Sequence, residues 1–198
     1  ITIVSLAIGL SVTAQLILLL QSFTNEREVI QVINRIVAQE FAPLLTAIIL
    51  IGRSGSAITV DLGNMRLNQE LRGLELLGIN IREFFIFPRI LGLALSQFTL
   101  AVYFSGIVMI TGIIFSAVLD APSNYKYLFL LIDSFTPYQL VIFMIKNLLF
   151  GILIGATACF HGLRVKQSVT ELPQQTQQAI VNSLVLVFVI DGLMAITL

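Results

Sequence analysis

The sequence predicts an all-α membrane protein with five transmembrane helices and a short cytoplasmic amphipathic helix between the second and the third. Apolar residues make up 57% of the 198 residues and charged residues only 11%, whereas soluble domains carry roughly 25% charged residues. The mean hydropathy is +0.97, and the chain contains apolar runs of about the 20 residues that a spanning helix needs. These runs do not alternate apolar with polar residues, as the strands of a transmembrane barrel would, so helical spans are predicted.

Five apolar segments qualify as spans, and polar or charged segments separate them. Their approximate ranges are 1–22, 31–60, 84–118, 138–163 and 178–198. The sequence begins inside the first of these segments, with neither Met nor a basic stretch before it. We therefore expect that the true N-terminal region is missing and that residues 1–198 form a single transmembrane domain.

The basic residues of the loops predict the orientation, because cytoplasmic loops are enriched in Lys and Arg. Segments 61–89 and 161–177 hold six of them, namely Arg66, Arg72, Arg82, Arg89, Arg164 and Lys166. The opposite loops hold three, namely Arg27, Arg35 and Lys126. We therefore expect residues 61–89 and 161–177 to lie in the cytoplasm and the C-terminus to lie on the other side of the membrane.

Three ionisable side chains lie within apolar spans: Arg53, Lys146 and Asp191. Each costs roughly 2.5–3.5 kcal/mol at the centre of a spanning helix, so such residues normally face the protein interior and find partners. At about 1.5 Å per residue, Lys146 and Asp191 lie about 12 and 10 Å from the same outer face. We therefore predict that they pair. The pair either fixes only the register of the helices, or lines a polar cavity through which a headgroup or a conformational signal passes.

Arg53 lies about 10 Å from the inner face by the same rise per residue, inside the small-residue stretch GRSGS (52–56). Its expected partners are helix-end carbonyls, lipid phosphate or Asp61. We predict that it is a buried charge between the cytoplasmic segment and the cavity. Glu40, before Pro43, is a fourth candidate charge nearer the outer face, and the alternative for it is a solvated interfacial carboxylate.

Residues 64–79, NMRLNQELRGLELLGI, predict a short amphipathic helix, because leucines recur at the spacing i, i+4, i+7. Asn64 or Asp61 is expected to cap its start and Gly78 to end it. Such a helix either lies on the membrane surface or docks into the groove of a partner protein, and its near-balanced charge favours a protein partner. The residues expected at this contact are Met65, Arg66, Leu67, Glu70, Leu71, Leu74 and Glu75.

Sequence patterns for several other chemistries are absent. No P-loop motif occurs, and GRSGS misses the G-x-S-x-G pattern of a hydrolase nucleophile by one position. One histidine and one cysteine offer neither a spaced catalytic triad nor a cysteine-based metal site. The net charge of zero gives no electrostatic footprint for nucleic acid. We therefore expect no catalytic residue, no metal and no cofactor in this chain.

Residues 39–91 resemble the signature region of the MlaE-type permeases, which are membrane subunits of ABC transporters that work with MCE proteins on phospholipids. The pattern of that family runs R-E-L-G-P, G-R-x-G-S-A, E-L-G-x-M-R-x-x-E-Q, A-L-x-x-M-G and P-R. The matching positions are Glu40 and Pro43; Gly52, Arg53, Gly55, Ser56 and Ala57; Leu62, Gly63, Met65 and Arg66; Leu74 and Gly78; and Pro88 and Arg89. Lys146, the turn CFHG and Asp191 also fall where the family carries a lysine, a turn with glycine and an aspartate.

Several positions depart from the family pattern. Gln39 replaces an arginine, Asp61 replaces a glutamate, and Gln69–Glu70 stands in the reverse order. The segment RVKQSVTELPQQ (164–175) replaces a glycine-rich loop.

The resemblance implies a homodimeric permease with five spans per subunit and an N-terminal interfacial helix that is absent from this sequence. It also implies a cytoplasmic ABC ATPase dimer, which would hold ATP and Mg²⁺, a periplasmic MCE-protein hexamer, and a phospholipid substrate carried in a cavity between the two copies. Residues 64–79 would be the coupling helix that docks on the ATPase. The expected location is the bacterial inner membrane, with the plastid inner envelope as an alternative.

Two other function classes stay open. An ion-coupled secondary transporter also needs charges within the membrane, although it usually shows internal repeats, and none is found in this sequence. A membrane-embedded lipid enzyme needs clustered catalytic residues near the interface, where the sequence offers only Asp61, His161 and scattered serines.

Overall fold

A computed structural model describes residues 6–7, 11, 15, 34–118, 137–165, 168 and 170–197. Helices dominate these residues, and no strand occurs among them. The first predicted span, 1–22, falls almost wholly outside the described residues, as does most of the loop 119–137.

Five helical elements are described, with π-helical turns inside two of them. Helix α1 comprises Asn34–Phe41 (π), Ala42–Leu50, Ile51–Gly55 (π) and Ser56–Leu67. Helix α2 is Glu70–Leu76, and helix α3 comprises Arg82–Ile86 (π) and Phe87–Val118. Helices α4 and α5 are Pro137–Arg164 and Glu171–Thr197.

Four stretches of these helices are long and apolar enough to cross a membrane: Gln39–Leu67, Arg82–Thr111, Pro137–Arg164 and Glu171–Ala195. They correspond to the second to fifth predicted spans. The last helix begins at Glu171, earlier than predicted. Pro173 lies in its first turn, where a backbone N–H has no acceptor within the helix, so the missing N–H of proline costs no hydrogen bond.

Two of the wide π turns directly precede a proline. Asn34–Phe41 ends two residues before Pro43, and Arg82–Ile86 ends two residues before Pro88. A proline inside a helix clashes with the carbonyl four residues earlier and removes one hydrogen bond. A local π turn changes the spacing between the proline ring and that carbonyl. The prolines therefore account for these two turns, whereas Ile51–Gly55 contains no proline and is rich in small residues.

The predicted helix over residues 64–79 is divided into two parts, which corrects the sequence prediction. Residues 64–67 continue α1, so Asp61 and Asn64 lie inside that helix and cap nothing. The chain then turns at Gln69, whose φ of 58° is left-handed, before the seven residues of α2. Gly78, with φ of +80°, ends α2 as predicted.

The end of α2 is a Schellman motif. The amide of Gly78 donates to Glu75 O at 3.0 Å, and the amide of Ile79 donates to Leu74 O at 3.1 Å. These two bonds satisfy carbonyls that the helix leaves without a partner, and the pattern requires a residue at positive φ, which glycine adopts without steric cost.

The described chain divides into two compact units. The first contains residues 1–43 and 99–145, and the second contains residues 44–98 and 146–198. In the first unit, Ala101, Phe104 and Val108 of α3 are buried, and the Nε2 amide of Gln39 donates to Gln139 Oε1 at 3.5 Å. All candidate functional groups described below lie in the second unit, apart from Glu40.

Glycines bring the helices of the second unit into close contact. A Cβ added at Gly151 of α4 would lie 2.4 Å from Ala94 Cα of α3, and one added at Gly155 would lie 2.9 Å from Ile90 Cα. The small residues of GILIG therefore form a packing face, as small-xxx-small pairs do in membranes. A Cβ added at Gly52 would meet no described atom within 4 Å outside the backbone of its own helix, so Gly52 packs against no neighbouring helix within this unit.

Candidate functional site: a buried ion pair and its polar surroundings

Lys146 of α4 and Asp191 of α5 form an ion pair inside the apolar region. Lys146 Nζ lies 2.6 Å from Asp191 Oδ1, and the two side chains are 1% and 13% exposed. The ammonium also lies 5.9 Å from the centroid of the Phe150 ring, within the range of a cation–π contact. The pair predicted from helical depth is confirmed, and each charge has the partner that burial in an apolar surrounding demands.

A cluster of uncharged polar side chains joins α1, α3 and α4 next to the ion pair. Gln97 donates from Nε2 to Thr46 Oγ1 at 3.1 Å and to Asn147 Oδ1 at 3.3 Å. All three side chains are buried, and Asn147 directly follows Lys146 in the sequence. The sequence prediction did not include this cluster, because it rested on ionisable residues alone. The signal was present as single amide residues inside otherwise apolar runs.

His161 connects α4 to α5 near the C-terminal end of α4. Its Nδ1 lies 3.0 Å from Gln175 Oε1, and its Nε2 lies 2.9 Å from Asn182 Nδ2. Since an amide nitrogen donates, Nε2 accepts and Nδ1–H donates, as in a neutral ring. His161 is buried in the last turn of α4, where its two ring nitrogens hold two side chains of α5.

Hydroxyl groups reinforce the same pair of helices. Thr157 Oγ1 and Ser183 Oγ lie 2.5 Å apart, and each also lies within hydrogen-bond distance of a carbonyl of its own helix. Because a hydroxyl has one proton, one of the two donates to the other and the second donates to its carbonyl. Within the described part of the chain, no three His, Cys, Asp or Glu side chains are grouped to hold a metal ion.

Arg53 does not occupy the buried position that was predicted. It lies in the π turn Ile51–Gly55, and its side chain is exposed on the surface of the chain. Asp61, one of its expected partners, instead lies 2.5 Å from Arg89 Nη2 of α3. The reason is geometric: eight residues of helix separate Arg53 from Asp61 by about 12 Å, whereas Arg89 lies on a neighbouring helix at the level of Asp61.

Glu40 lies in the first unit and is half-buried. It precedes the α-helical part of α1, which begins at Ala42. Its predicted role beside the other charges stays a prediction.

The residues predicted to contact a partner do not share one exposed face. Leu71 is buried within its own unit at 5% exposure, and Leu74 is half-buried. Arg66 Nη1 donates to the carbonyl of Leu163 at the end of α4. The exposed apolar groups of this segment are Leu76 and Leu77, at 84% and 76%, because the turn at residues 68–69 rotates α2 relative to α1.

Residues 1–197 match the protein family described as Permease MlaE. The chain belongs to the MlaE permease family. The stretch GRSGSA (52–57), on which the resemblance rested most specifically, forms the exposed π turn and the first residues of the α-helix that follows it.

Relatives of the chain occur in plants and bacteria. Over 190 residues it is 27% identical to the chloroplastic protein TRIGALACTOSYLDIACYLGLYCEROL 1 of Arabidopsis thaliana, covering 93% of this chain and 53% of that protein. Over 161 residues it is 30% identical to a probable ABC transporter permease protein of Synechocystis, covering 80% and 60%. Over 187 residues it is 24% identical to the intermembrane phospholipid transport system permease protein MlaE of Haemophilus influenzae, covering 94% and 72%. The chain thus spans little more than half the length of the first two relatives.

Proposed function

We propose that this chain is the membrane-spanning permease subunit of an ATP-driven phospholipid transporter. The observation that carries the proposal is the match to the MlaE permease family over residues 1–197. The names of two relatives support it, since one is a probable ABC transporter permease and the other belongs to an intermembrane phospholipid transport system. In this proposal the chain is non-catalytic, and a separate ATPase subunit binds ATP and Mg²⁺.

The proposed assembly contains two copies of this chain, a cytoplasmic ABC ATPase dimer and a periplasmic MCE-protein hexamer in a bacterial inner membrane or a plastid inner envelope. The exposed position of Arg53 supports the homodimer. A guanidinium that faces acyl chains in the middle of a span is costly, and the open space beside Gly52 leaves room for a second copy to approach. In the dimer Arg53 would then face the partner copy or the lipid cavity.

Coupling to the ATPase is proposed to occur through α2, but through a different side from the predicted leucine stripe. Leu76 and Leu77 are the exposed apolar groups, and Glu70 and Glu75 are exposed beside them. Leu71 holds α2 against its own unit, so Leu71→Asp would disturb folding as well as docking.

The docking side is tested with the double variant Leu76→Asp/Leu77→Asp. Burial of a leucine contributes about 1.5–3 kcal/mol, so we expect at least about a 10-fold loss of ATPase co-purification. Gln174→Asp is the matched control, because it places the same carboxylate at an exposed position in the first turn of α5, on the same side of the membrane. Equal ATPase binding by the double variant and the control would show that α2 docks through other residues.

The transport function is tested in proteoliposomes that contain the complete complex and a fluorescent phospholipid. We expect lipid movement that requires ATP and stops when the ATPase carries an inactivated P-loop lysine. The buried Lys146–Asp191 pair also suits an ion-coupled secondary transporter. Lipid movement driven by an ion gradient without ATP would therefore favour that second function and contradict the first, and chemical conversion of the lipid by this chain alone would indicate a lipid enzyme.

A further inference from the structure

A pocket of about 450 Å³ lies in the second unit beside α2, and its lining is rich in arginine. The lining residues are Arg66, Gln69, Leu71, Arg72, Glu75, Ile81, Arg82, Ile86 and Leu163. Three guanidinium groups thus share the pocket with a single carboxylate. An excess of positive charge in a concave site favours an anionic ligand.

The pocket lies at the level of the membrane surface. Arg66 is next to the last residue of the candidate span Gln39–Leu67, Arg82 is the first residue of the next span, and Leu163 is next to the last residue of the third. Since consecutive spans alternate in direction, these three ends lie on one side of the membrane. The distribution of basic residues predicts that this side is cytoplasmic.

The pocket arginines are available for a ligand. Among the residues that the structure describes, no carboxylate lies within ion-pair distance of Arg72 or Arg82. Two nearby carboxylates are already engaged, because Glu70 and Glu83 each accept a hydrogen bond from a neighbouring asparagine, at 3.2 and 3.0 Å. Arg66 is held in place by its bond to the carbonyl of Leu163.

Helix α3 also carries an apolar stripe that runs toward the interior of the membrane, on a different side of the helix from the pocket residues Arg82 and Ile86. Its members are the exposed side chains Phe84, Phe87, Leu91 and Leu95, with exposures of 66%, 61%, 44% and 61%. Their spacing of three, four and four residues places them on one side of a helix. The pocket thus lies at the level of the headgroups beside a helix with an apolar surface, where lipid phosphates are the anions at hand.

We propose that this pocket binds the phosphate of an anionic phospholipid from the cytoplasmic leaflet. Arg72 and Arg82 bind the phosphate oxygens, because a guanidinium can donate two parallel hydrogen bonds to an oxyanion. The site is separate from the proposed transport function, since it requires neither ATP nor a second copy of the chain.

The test measures lipid retained by the purified protein in detergent, using native mass spectrometry with phosphatidylglycerol and phosphatidylcholine as probes. We expect the unaltered protein to prefer phosphatidylglycerol, and Arg72→Gln/Arg82→Gln to lose the preference. Each basic residue near a lipid surface contributes roughly a 5-fold change in binding, so the double variant should lose roughly 30-fold. Arg164→Gln is the matched control, because it removes an exposed arginine on the same side but outside the pocket.

Four results would overturn the proposal. The unaltered protein could bind both lipids equally, or the double variant could retain as much phosphatidylglycerol as the Arg164→Gln control. Inorganic phosphate could bind to the pocket and displace phosphatidylglycerol, which would make the ligand a free phosphate. The double variant could also lose ATPase binding while its lipid retention stays unchanged, which would assign the arginines to a protein contact.

Discussion

Removing either member of the Lys146–Asp191 pair should destabilise the protein much more than removing both. Breaking a buried pair typically costs about 3–5 kcal/mol, because the remaining charge keeps its desolvation penalty without a partner. Lys146 is 1% exposed and Asp191 is 13% exposed. Asp191→Asn, which leaves the fully enclosed ammonium behind, should therefore lie near the upper end of that range, and Lys146→Met near the lower end.

The double variant Lys146→Met/Asp191→Asn contains no unpaired charge, so we expect it to recover about 2–3 kcal/mol relative to the sum of the single variants. Unfolding by SDS titration in mixed micelles gives the free energies for this cycle. The control is the cycle Arg89→Met/Asp61→Asn, because Asp61 is 61% exposed and exposed pairs contribute about 0–1 kcal/mol. Additive losses at Lys146 and Asp191 would refute the reasoning.

The same variants separate the two interpretations of the pair. If the pair fixes only the register of α4 and α5, the double variant should recover ATP-driven lipid transport together with stability. If the charges line the path of a headgroup or a signal, stability should recover while transport stays lost. Transport is measured in the proteoliposomes described above, with the Arg89–Asp61 cycle again as the control.

Two further variants test the packing of the second unit. Gly151→Ala should lower the free energy of unfolding by about 1–3 kcal/mol, because the new methyl group would meet helix backbone, which cannot move aside by changing rotamer. The control Gly92→Ala adds a methyl group that meets no described atom within 4 Å, so it should be neutral or stabilising by up to about 1 kcal/mol. Equal effects of the two variants in thermal unfolding would contradict the close approach of α3 and α4. His161→Ala should cost about 1–3 kcal/mol, because it leaves two amide side chains without their partner, and a melting temperature no lower than that of the neighbouring Phe160→Leu variant would show that this network contributes nothing.

The parts of the fold that were predictable depend on hydropathy and on distance along a helix. The four described spans follow from apolar runs, and the Lys146–Asp191 pair follows because both depths are counted from the same membrane face. Gly78 was predictable as the end of α2 because glycine adopts positive φ without steric cost. Each of these inferences needs only the local geometry of a helix or a depth counted from one face of the membrane.

The errors have a different physical origin. The turn at Gln69 puts a non-glycine residue at φ of 58°, which no propensity predicts, and it moves the exposed apolar side of α2 from Leu71 to Leu77. The partner of Asp61 lies 28 residues away at Arg89, and only the packing of α1 against α3 brings the two together. Arg53 was expected to be buried because a charge within an apolar span is costly, but its side chain is exposed on the surface of the single chain.

The contacts of the second unit connect the end of α1, which precedes α2, to the ion pair through a rigid helix. Arg66 holds the end of α4 at Leu163, and seventeen residues of unbroken helix, about 26 Å, join Leu163 to Lys146. Gly151 lies along that path and packs α4 directly on α3, so α4 has little freedom to bend between its two ends. A displacement of this end of α1 would therefore reach Lys146 as a movement of the whole of α4. Because Asp191 lies on α5, any movement of α4 that α5 does not follow must change the 2.6 Å contact between Lys146 and Asp191. The ion pair is therefore the contact that would respond to such a movement.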